Sequence, residues 1–334
     1  MVQAVGIFSG GLDSLLSVRL LMEQGLMPTL VTFTTPFFPP DKAVAGAEAL
    51  GLPLIQIDIY DDLLPLIKNP PHGLGKNLNP CIDCHALMFR RAGEVLAASD
   101  EAGFLFSGEV VGQRPMSQNP HSLKIVARDS GHWGYVLRPL SAKNLPMTEA
   151  EEKGWVDRNR LLGLNGRSRR AQMDLAKSFD LPIPAPAGGC LLTDVGYSKR
   201  LKWLLEQGRD ISGWPPPRLA EILKRGRLFD SGAGQWLCVG RNQADNDALA
   251  SLAEEGDVIF HLEGAPGPLV LLPGGKATPA AITMGCDLAA SYGDHGDATV
   301  TMVRVEIKGQ GDTSLEKAEV RPPTFWLDFM VPKN

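Results

Sequence analysis

Short apolar runs rich in β-branched residues alternate with helical patterns over the first third of the chain. Strands are predicted at residues 4–8, 30–34, 54–59 and 103–107. Helices are predicted between them at residues 14–24, 43–50 and 85–98. Alternating strands and helices build parallel sheets through right-handed crossovers. This part of the sequence therefore predicts an α/β fold with a doubly wound parallel sheet.

A Pro-, Gly- and Asn-rich stretch interrupts this alternation between residues 59 and 85 and contains Asn69-Pro70-Pro71-His72-Gly73. It is longer than ordinary connections in compact domains, and long ordered loops are often functional. We therefore expect a functional loop here.

The pattern changes again near residue 206. Helices are predicted at residues 147–153, 169–179 and 198–206, and Trp214-Pro215-Pro216-Pro217 is typical of a linker. Beyond it, strands are predicted at 235–239, 258–262, 269–272 and 300–307, with a helix at 280–292. The sequence thus predicts a first domain at 1–205, a linker at 206–217 and a second, smaller α+β domain at 218–334.

Composition narrows the class of protein. The 334 residues are 44% hydrophobic and 21% charged, which is typical of a folded chain of about two domains. A net charge of −5 argues against a generally basic nucleic-acid coat but allows a local basic face. Since no run of about 18 apolar residues occurs, a cytoplasmic protein without a membrane partner is expected. The odd number of cysteines, five, favours reduced thiols available for metal binding or catalysis.

The string Ser9-Gly10-Gly11-Leu12-Asp13-Ser14 follows a predicted strand and opens a predicted helix. Backbone N–H groups at such a helix start attract phosphate, and Ser9 and Ser14 add hydroxyl donors. Asp13, an anion in a phosphate loop, makes chemical sense if Mg²⁺ lies between it and the nucleotide. The loop lacks the Gly-Lys-Ser/Thr of a Walker A motif. The alternative interpretation is an ordinary Gly-Gly turn capped by a serine.

Three cysteines form a second candidate site. Cys81 and Cys84 stand at CxxC spacing near a helix start, and Cys190 follows a glycine pair. Three thiolates could hold a four-iron cluster with one open iron, or together with His85 a zinc ion of Cys₃His type. The remaining two, Cys238 and Cys286, lie in apolar surroundings and are predicted to be inert core residues.

The phosphate-loop string resembles that of the PP-loop ATPase superfamily, whose members adenylate a carbonyl oxygen and release pyrophosphate. The resemblance implies ATP with Mg²⁺ as cofactors and places the second strand's end, at Thr32, near the adenosine. It also implies that the triphosphate is lined by Phe8, Ser9, Gly10, Gly11, Asp13 and Ser14. Gly108 follows the fourth predicted strand and is expected on the same ligand-facing edge.

The segment Asn79-Pro80-Cys81-x-x-Cys84-His85 resembles tRNA-specific 2-thiouridylases, in which Cys84 and Cys190 match the two catalytic cysteines. The extra Cys81 is similar to cluster-dependent tRNA thiolation enzymes, which carry CxxC and one distant cysteine. Gly112-Gln113 and Arg138-Pro139-Leu140 resemble segments of the same enzymes, including the 4-thiouridine branch. The resemblance covers residues 1–205. It implies that Gln113 is a further residue of the nucleotide site.

The C-terminal part resembles the NFACT-R RNA-binding domain. The likeness rests on Gly240-Arg241-Asn242, on residues 257–261 ending in Phe260-His261, and on the later Ala289-Ala290-Ser291-Tyr292. A basic rim on either side of Cys190 would suit a tRNA site. Its members are Arg167, Arg169, Arg170, Lys199, Arg200 and Lys202.

Together these features predict ATP-dependent tRNA uridine thiolation: adenylation of a uridine carbonyl oxygen followed by sulfur transfer. Asp13 would organise Mg²⁺, and Cys81, Cys84 and Cys190 would carry a 4Fe-4S cluster or, alternatively, a persulfide relay. The expected partners are tRNA and a sulfide or persulfide donor, and the sequence leaves open whether the chain acts as a homodimer. Two alternatives differ in class. One is an adenylating amidotransferase or small-molecule sulfurtransferase with structural zinc, and the other is a non-catalytic RNA-binding module.

Overall fold

The computed structural model describes residues 2–184, 189–206, 216–232, 234–311 and 313–331. The chain divides into two compact units, Met1–Asp194 and Val195–Asn334. Each unit has its own hydrophobic core. The linker predicted at 206–217 falls largely on residues 207–215, which lie outside the described residues.

The first unit is built on a parallel sheet with strand order β3-β2-β1-β4-β5. Its strands are β1 (Gln3–Ile7), β2 (Thr29–Thr34), β3 (Leu54–Asp58), β4 (Gly103–Ser107) and β5 (Val136–Leu137). The middle of each central strand is apolar and buried, as at Val5, Leu30 and Leu105. Strands covered on both faces need such uninterrupted apolar runs. The predicted α/β class with a doubly wound parallel sheet is confirmed.

Seven helices connect or flank these strands in the described part of the first unit. They are α1 (Leu12–Met22), α2 (Asp41–Leu50), α3 (Tyr60–Lys68), α4 (Cys81–Ala97), α5 (Pro120–Asp129), α6 (Glu149–Glu152) and α7 (Arg170–Ser178). The prediction of a loop over 59–85 is wrong in its first part, because α3 occupies it. Pro65 lies inside this helix. Because proline normally ends a helix, the sequence pattern did not predict one here.

The order of the strands fixes where a ligand can bind. The chain moves outward from β1 to β2 and β3, and then returns to the other side of β1 to form β4 and β5. The loops that follow β1 and β4 therefore meet at the carboxyl edge of the sheet. Open α/β sheets bind their ligands at this reversal point. The phosphate-loop string lies there, directly after β1.

The second unit contains an antiparallel sheet with strand order β11-β10-β8-β9-β7-β6-β12. Its strands are β6 (Arg227–Gly232), β7 (Gln235–Val239), β8 (Val258–Leu262), β9 (Val270–Leu272), β10 (Val300–Ile307), β11 (Thr313–Glu319) and β12 (Met330–Val331). Its helices are α8 (Val195–Glu206), α9 (Pro217–Ile222), α10 (Gln243–Leu252) and α11 (Pro279–Ser291). The predicted second domain of α+β class is therefore confirmed.

Helix α11 forms the core of this second unit with one face of the sheet. Thr278 caps its N-terminus by accepting a hydrogen bond from the Ala281 N–H, and Pro279 occupies the first helical position. Leu288 packs in one apolar cluster with Phe229 and Phe260 of the strands. Across the described residues of both units, every helix is too short or too polar to cross a lipid bilayer.

Candidate active site

The loop between β1 and α1 has the geometry of an anion-binding helix start. Helix α1 begins at Leu12, and Gly11 at its N-cap position receives no side-chain cap. The first amides of the helix therefore remain available to a ligand. The Ser14 hydroxyl donates to the Gly11 carbonyl over 2.8 Å, and the Ser9 and Ser14 hydroxyl oxygens lie 3.4 Å apart. Phe8 is buried beneath the loop and anchors it through its N–H to Val31.

Two glycines allow the backbone to close around this loop. Gly10 has a φ of +67°, and a Cβ placed on it would lie 1.9 Å from the Lys42 carbonyl oxygen at the start of α2. Gly108 follows β4, and a Cβ there would lie 2.6 Å from the backbone of Asp13 and Ser14. Only glycine fits at either point without moving the chain. Gly108 is thus in direct contact with the phosphate loop, as expected.

Asp13 combines a bound oxygen and an unpartnered one. Its Oδ2 accepts a hydrogen bond from Gln113 Nε2 over 2.6 Å. Its Oδ1 is buried and has no hydrogen-bond partner among the described residues. A buried anionic oxygen without a donor is costly unless a ligand satisfies it. A carboxylate oxygen beside a phosphate loop is a suitable ligand for Mg²⁺, so the residues fit this ion.

Thr32 lies on β2, two residues before the strand ends, and is buried. The preceding residue, Val31, accepts at its carbonyl the hydrogen bond from the Phe8 N–H that anchors the loop. The structure thus brings Thr32 to the edge of the sheet where the phosphate loop lies. Its predicted contact with adenosine stays a prediction.

Cys81 and Cys84 both lie in the first turn of α4. The helix begins at Cys81, four residues before the predicted start at His85. Asn79 precedes this turn and donates from Nδ2 to the Cys81 Sγ over 3.2 Å. Cys84 is buried, and burial together with the nearby thiols of Cys190 and Cys81 raises its pKa well above the usual value. These mutual effects show that the three cysteines are neighbours in space.

Two hydrogen bonds tie the Cys190 segment to the loop before α4 and to the loop between β2 and α2. Asn77 Nδ2 donates to the Thr193 carbonyl over 2.8 Å, and the Leu191 N–H donates to the Phe37 carbonyl over 3.0 Å. Burial raises the pKa of Cys190 to about 12, and the positive charge of Arg114 opposes that rise. The predicted bend before Cys190 includes residues 185–188, which lie outside the described residues.

The three thiols fit an iron–sulfur cluster or a zinc ion by their chemistry, since both take soft thiolate ligands. In the part of the chain that the structure describes, no three His, Cys, Asp or Glu side chains are already arranged to hold a metal ion. Closing Cys81, Cys84 and Cys190 on a metal therefore requires their side chains to shift from these positions.

A bridging segment, residues 108–118, contacts both parts of the site. Gln113 reaches Asp13 of the phosphate loop. Arg114 lies close enough to Cys190 to influence its pKa. Met116 accepts a weak hydrogen bond at its sulfur from Asn79, the residue that also contacts Cys81. One short segment therefore joins the phosphate loop to the cysteines within the first unit.

A buried ion pair, absent from the sequence-based prediction of the site, supports this segment. The Glu109 carboxylate accepts hydrogen bonds from Arg138 Nε at 2.9 Å, His85 Nδ1 at 2.8 Å and Ser107 Oγ at 3.1 Å. Burial alone would raise the pKa of Glu109, but Arg138 and His85 overcome it and lower the pKa to about 2. Arg138 also lies over the Phe89 ring. The sequence feature that could have indicated this ion pair is a glutamate two residues after the end of an apolar strand, in Ser107-Gly108-Glu109.

In the second unit the candidate residues are mainly structural. Cys238 and Cys286 are buried, and burial raises the pKa of each to about 12. Arg200 on α8, predicted in the basic rim, donates to the carbonyls of Leu223, Arg225 and Gly226. Its guanidinium thus holds a turn of its own unit. His261 is half-buried on β8, and burial lowers its pKa.

Comparison with known proteins gives one family match and one group of relatives. Residues 226–324 match the model of the NFACT protein RNA binding domain, which confirms the resemblance of the C-terminal part. The probable tRNA sulfurtransferase of Ureaplasma parvum serovar 3 is 30% identical over 146 residues, in each of two strains. This match covers 42% of the chain and spans 37% of the relative's length.

Three solved structures show partial likeness. The C-terminal part of the fibronectin/fibrinogen-binding protein of Streptococcus suis is 14% identical, with 48% of this chain and 76% of that chain covered and a TM-score of 0.27. A predicted subunit of tRNA methyltransferase from Methanocaldococcus jannaschii is 22% identical, with 42% and 69% covered and a TM-score of 0.31. NMN synthetase from Francisella tularensis is 14% identical, with 56% and 66% covered and a TM-score of 0.32.

Proposed function

We propose that this chain, which joins a phosphate-loop α/β unit to an NFACT-type RNA-binding segment, is an ATP-dependent tRNA thiolation enzyme. The observation that carries the proposal is the bridging segment. On one side of this short stretch lies Asp13, whose Oδ1 has no partner among the described residues, and on the other side lie Cys81 and Cys190. ATP activation and sulfur delivery must act on the same carbon, so their machinery has to be adjacent.

The reaction would proceed in two displacements. The uridine carbonyl oxygen attacks the α-phosphorus of ATP, an O–P bond forms, and pyrophosphate leaves. A sulfur nucleophile then attacks the activated carbon, and AMP leaves with the former carbonyl oxygen. Adenylation is needed because it converts a poor leaving group into a good one.

In this proposal the phosphate loop performs the first step. Its helix-start amides and the Ser9 and Ser14 hydroxyls bind the phosphates, with Gly10 and Gly11 permitting close approach. Asp13 would hold Mg²⁺ through its Oδ1, and the bound ion would neutralise phosphate charge. Phe8 supports the loop from below, and nearby Thr32, Gly108 and Gln113 complete the nucleotide site.

Cys81, Cys84 and Cys190 perform the second step. We propose that they hold a 4Fe-4S cluster, which when bound supplies a site for the sulfur to be transferred. Three thiols exceed the two that a persulfide relay requires. The sulfur donor would be sulfide or a persulfide carrier, and Arg114 would supply positive charge beside Cys190.

Each predicted domain would have its own role in this reaction. Residues 1–205 would form the thiolation domain, 206–217 the linker and 218–334 the RNA-binding domain, with tRNA as the partner. The family match at 226–324 and the tRNA sulfurtransferase relative support this assignment. Action on tRNA would place the protein in the cytoplasm.

The proposal is tested by metal analysis and by analysis of the tRNA product. After anaerobic purification, the wild type is expected to hold about four irons with matching sulfide and to convert uridine to thiouridine in tRNA with ATP. Cys81→Ala is expected to fall below about one iron and to lose about tenfold of the thiolation rate, since a ligand is missing. Iron and acid-labile sulfide assays and nucleoside mass spectrometry measure these effects.

The matched control is Cys238→Ala, which removes a cysteine of the second unit. It should keep wild-type iron content and activity. Full thiolation by Cys81→Ala would contradict the cluster and favour a persulfide relay. Zinc without iron would favour the amidotransferase or small-molecule alternative, and no ATP turnover with any tRNA would favour a non-catalytic RNA-binding module.

A further inference from the structure

A buried glutamine on α7 lies behind the nucleotide site. Gln172 is 1% exposed. Its Nε2 donates to Gln113 Oε1 over 2.9 Å, and Gln113 Nε2 in turn donates to Asp13 Oδ2 over 2.6 Å. Three side chains from three separate segments thus form a directed chain of hydrogen bonds that ends at the phosphate loop.

The polarity of this chain follows from the chemistry of the amide group. A glutamine amide has a donor end and an acceptor end, and the two are nearly equal in size. Turning Gln113 by 180° would place its Oε1 against the Asp13 carboxylate, with acceptor facing acceptor. The donor supplied by Gln172 holds Gln113 in the opposite orientation, with its Nε2 toward Asp13.

This arrangement leaves one Asp13 oxygen for a ligand. Because Oδ2 is held by Gln113, the carboxylate cannot rotate freely, and the buried Oδ1 stays without a partner among the described residues. A preorganised anionic oxygen binds a cation more tightly than one that must first be ordered.

The surroundings of Gln172 do not themselves require a polar residue. Its neighbour on the same helix, Ala176, belongs to an apolar cluster with Leu12, Leu16 and Leu20. An apolar side chain could fill this position, and burying an amide costs free energy unless its hydrogen bonds are made. The amide is therefore best explained by the contact that it makes with Gln113.

We propose that Gln172 is a positioning residue for the magnesium–nucleotide site. It acts through Gln113, whose amide orientation it fixes, so that Asp13 presents Oδ1 to the metal. This inference rests on the proposed function only in assuming that magnesium and ATP bind at the phosphate loop.

A double-mutant cycle on ligand binding tests the proposal. ATP binding to the full chain is titrated with Mg²⁺ for the wild type, Gln172→Met, Gln113→Met and the double variant. Gln172→Met is expected to raise the half-saturating Mg²⁺ concentration roughly fivefold, and Gln113→Met roughly tenfold, as the loss of one hydrogen bond implies. The double variant should match Gln113→Met, because Gln172 acts only through Gln113.

A purely structural role would give a different pattern. The two changes would then multiply, to roughly fiftyfold in the double variant, and that result would overturn the proposal. So would a Gln172→Met protein whose Mg²⁺ dependence stays within twofold of the wild type. Gln172→Leu, of similar volume, should repeat the fivefold rise if methionine disturbs the fold. Gln243→Met, at an exposed glutamine of the second unit that donates to Asp247, is the matched control.

The binding assay separates this inference from the proposed function. A wild type that binds ATP without Mg²⁺ dependence overturns the role of Gln172. A wild type that shows the coupled Mg²⁺ dependence but forms no thiolated tRNA contradicts the proposed function and leaves the role of Gln172 standing.

Discussion

Replacing Glu109 by glutamine is expected to lower the free energy of unfolding of the first unit by about 3–5 kcal/mol at pH 7. Glutamine keeps the volume of the side chain, so the loss does not come from a cavity. It comes from Arg138, which is 5% exposed and would keep a buried positive charge without its carboxylate. Urea unfolding, together with hydrogen exchange of the β4 and β5 amides, measures the effect in this unit.

The acid dependence of the same variant gives a second measure of the ion pair. Since the pKa of Glu109 in the folded chain is about 2, below the usual 4.5 of a glutamate, the ionised carboxylate stabilises the fold above about pH 4.5. That contribution is lost as the pH falls toward 2. The difference in stability between the wild type and Glu109→Gln should therefore shrink over this range.

The control for this prediction is Glu94→Gln, which breaks an exposed ion pair with Arg91. Exposed pairs contribute little, so its unfolding should be nearly unchanged. A Glu109→Gln protein as stable as the wild type at pH 7 would show that Arg138 can be satisfied without the carboxylate.

Local patterns sufficed for the features that depend on residues near in sequence. The alternation of apolar runs and helices predicted the parallel sheet, because buried strands need continuous apolar segments. The Gly10-Gly11 pair between a strand and a helix predicted a tight turn, and Gly10 indeed has a left-handed φ of +67°. That this turn binds phosphate stays a prediction that rests on the family resemblance. The family resemblance added the pairing of Cys84 with the distant Cys190.

Features that depend on tertiary contacts could not be predicted in this way. Glu109 and Arg138 are 29 positions apart, and no periodic pattern links them. Gln172 is one polar position within the helix predicted at 169–179, and only the fold brings it to Gln113, 59 positions away. Helix α3 was missed for a local reason, because Pro65 is normally a helix breaker.

Replacing Asp13 by asparagine is expected to reduce tRNA-dependent pyrophosphate release by at least about 100-fold. Asparagine has nearly the same shape, but its neutral amide oxygen holds Mg²⁺ more weakly than a carboxylate oxygen does. Within the described residues Asp13 forms no ion pair, and its unpartnered Oδ1 contributes nothing to the fold. The melting temperature should therefore stay close to that of the wild type, which separates loss of chemistry from loss of structure.

Asp41→Asn is the matched control for Asp13→Asn, because Asp41 also lies in the first turn of a helix, α2, but is exposed. Any effect that arises only from a negative charge at a helix start should appear in both variants. An effect confined to Asp13→Asn assigns the loss to the site between the phosphate loop and Gln113. Asp13→Asn could instead keep more than about a third of the wild-type rate, a far smaller loss than is expected on removing a metal ligand. In that case the carboxylate does not organise the nucleotide. The buried Oδ1 would then need another explanation, such as a tightly held water molecule.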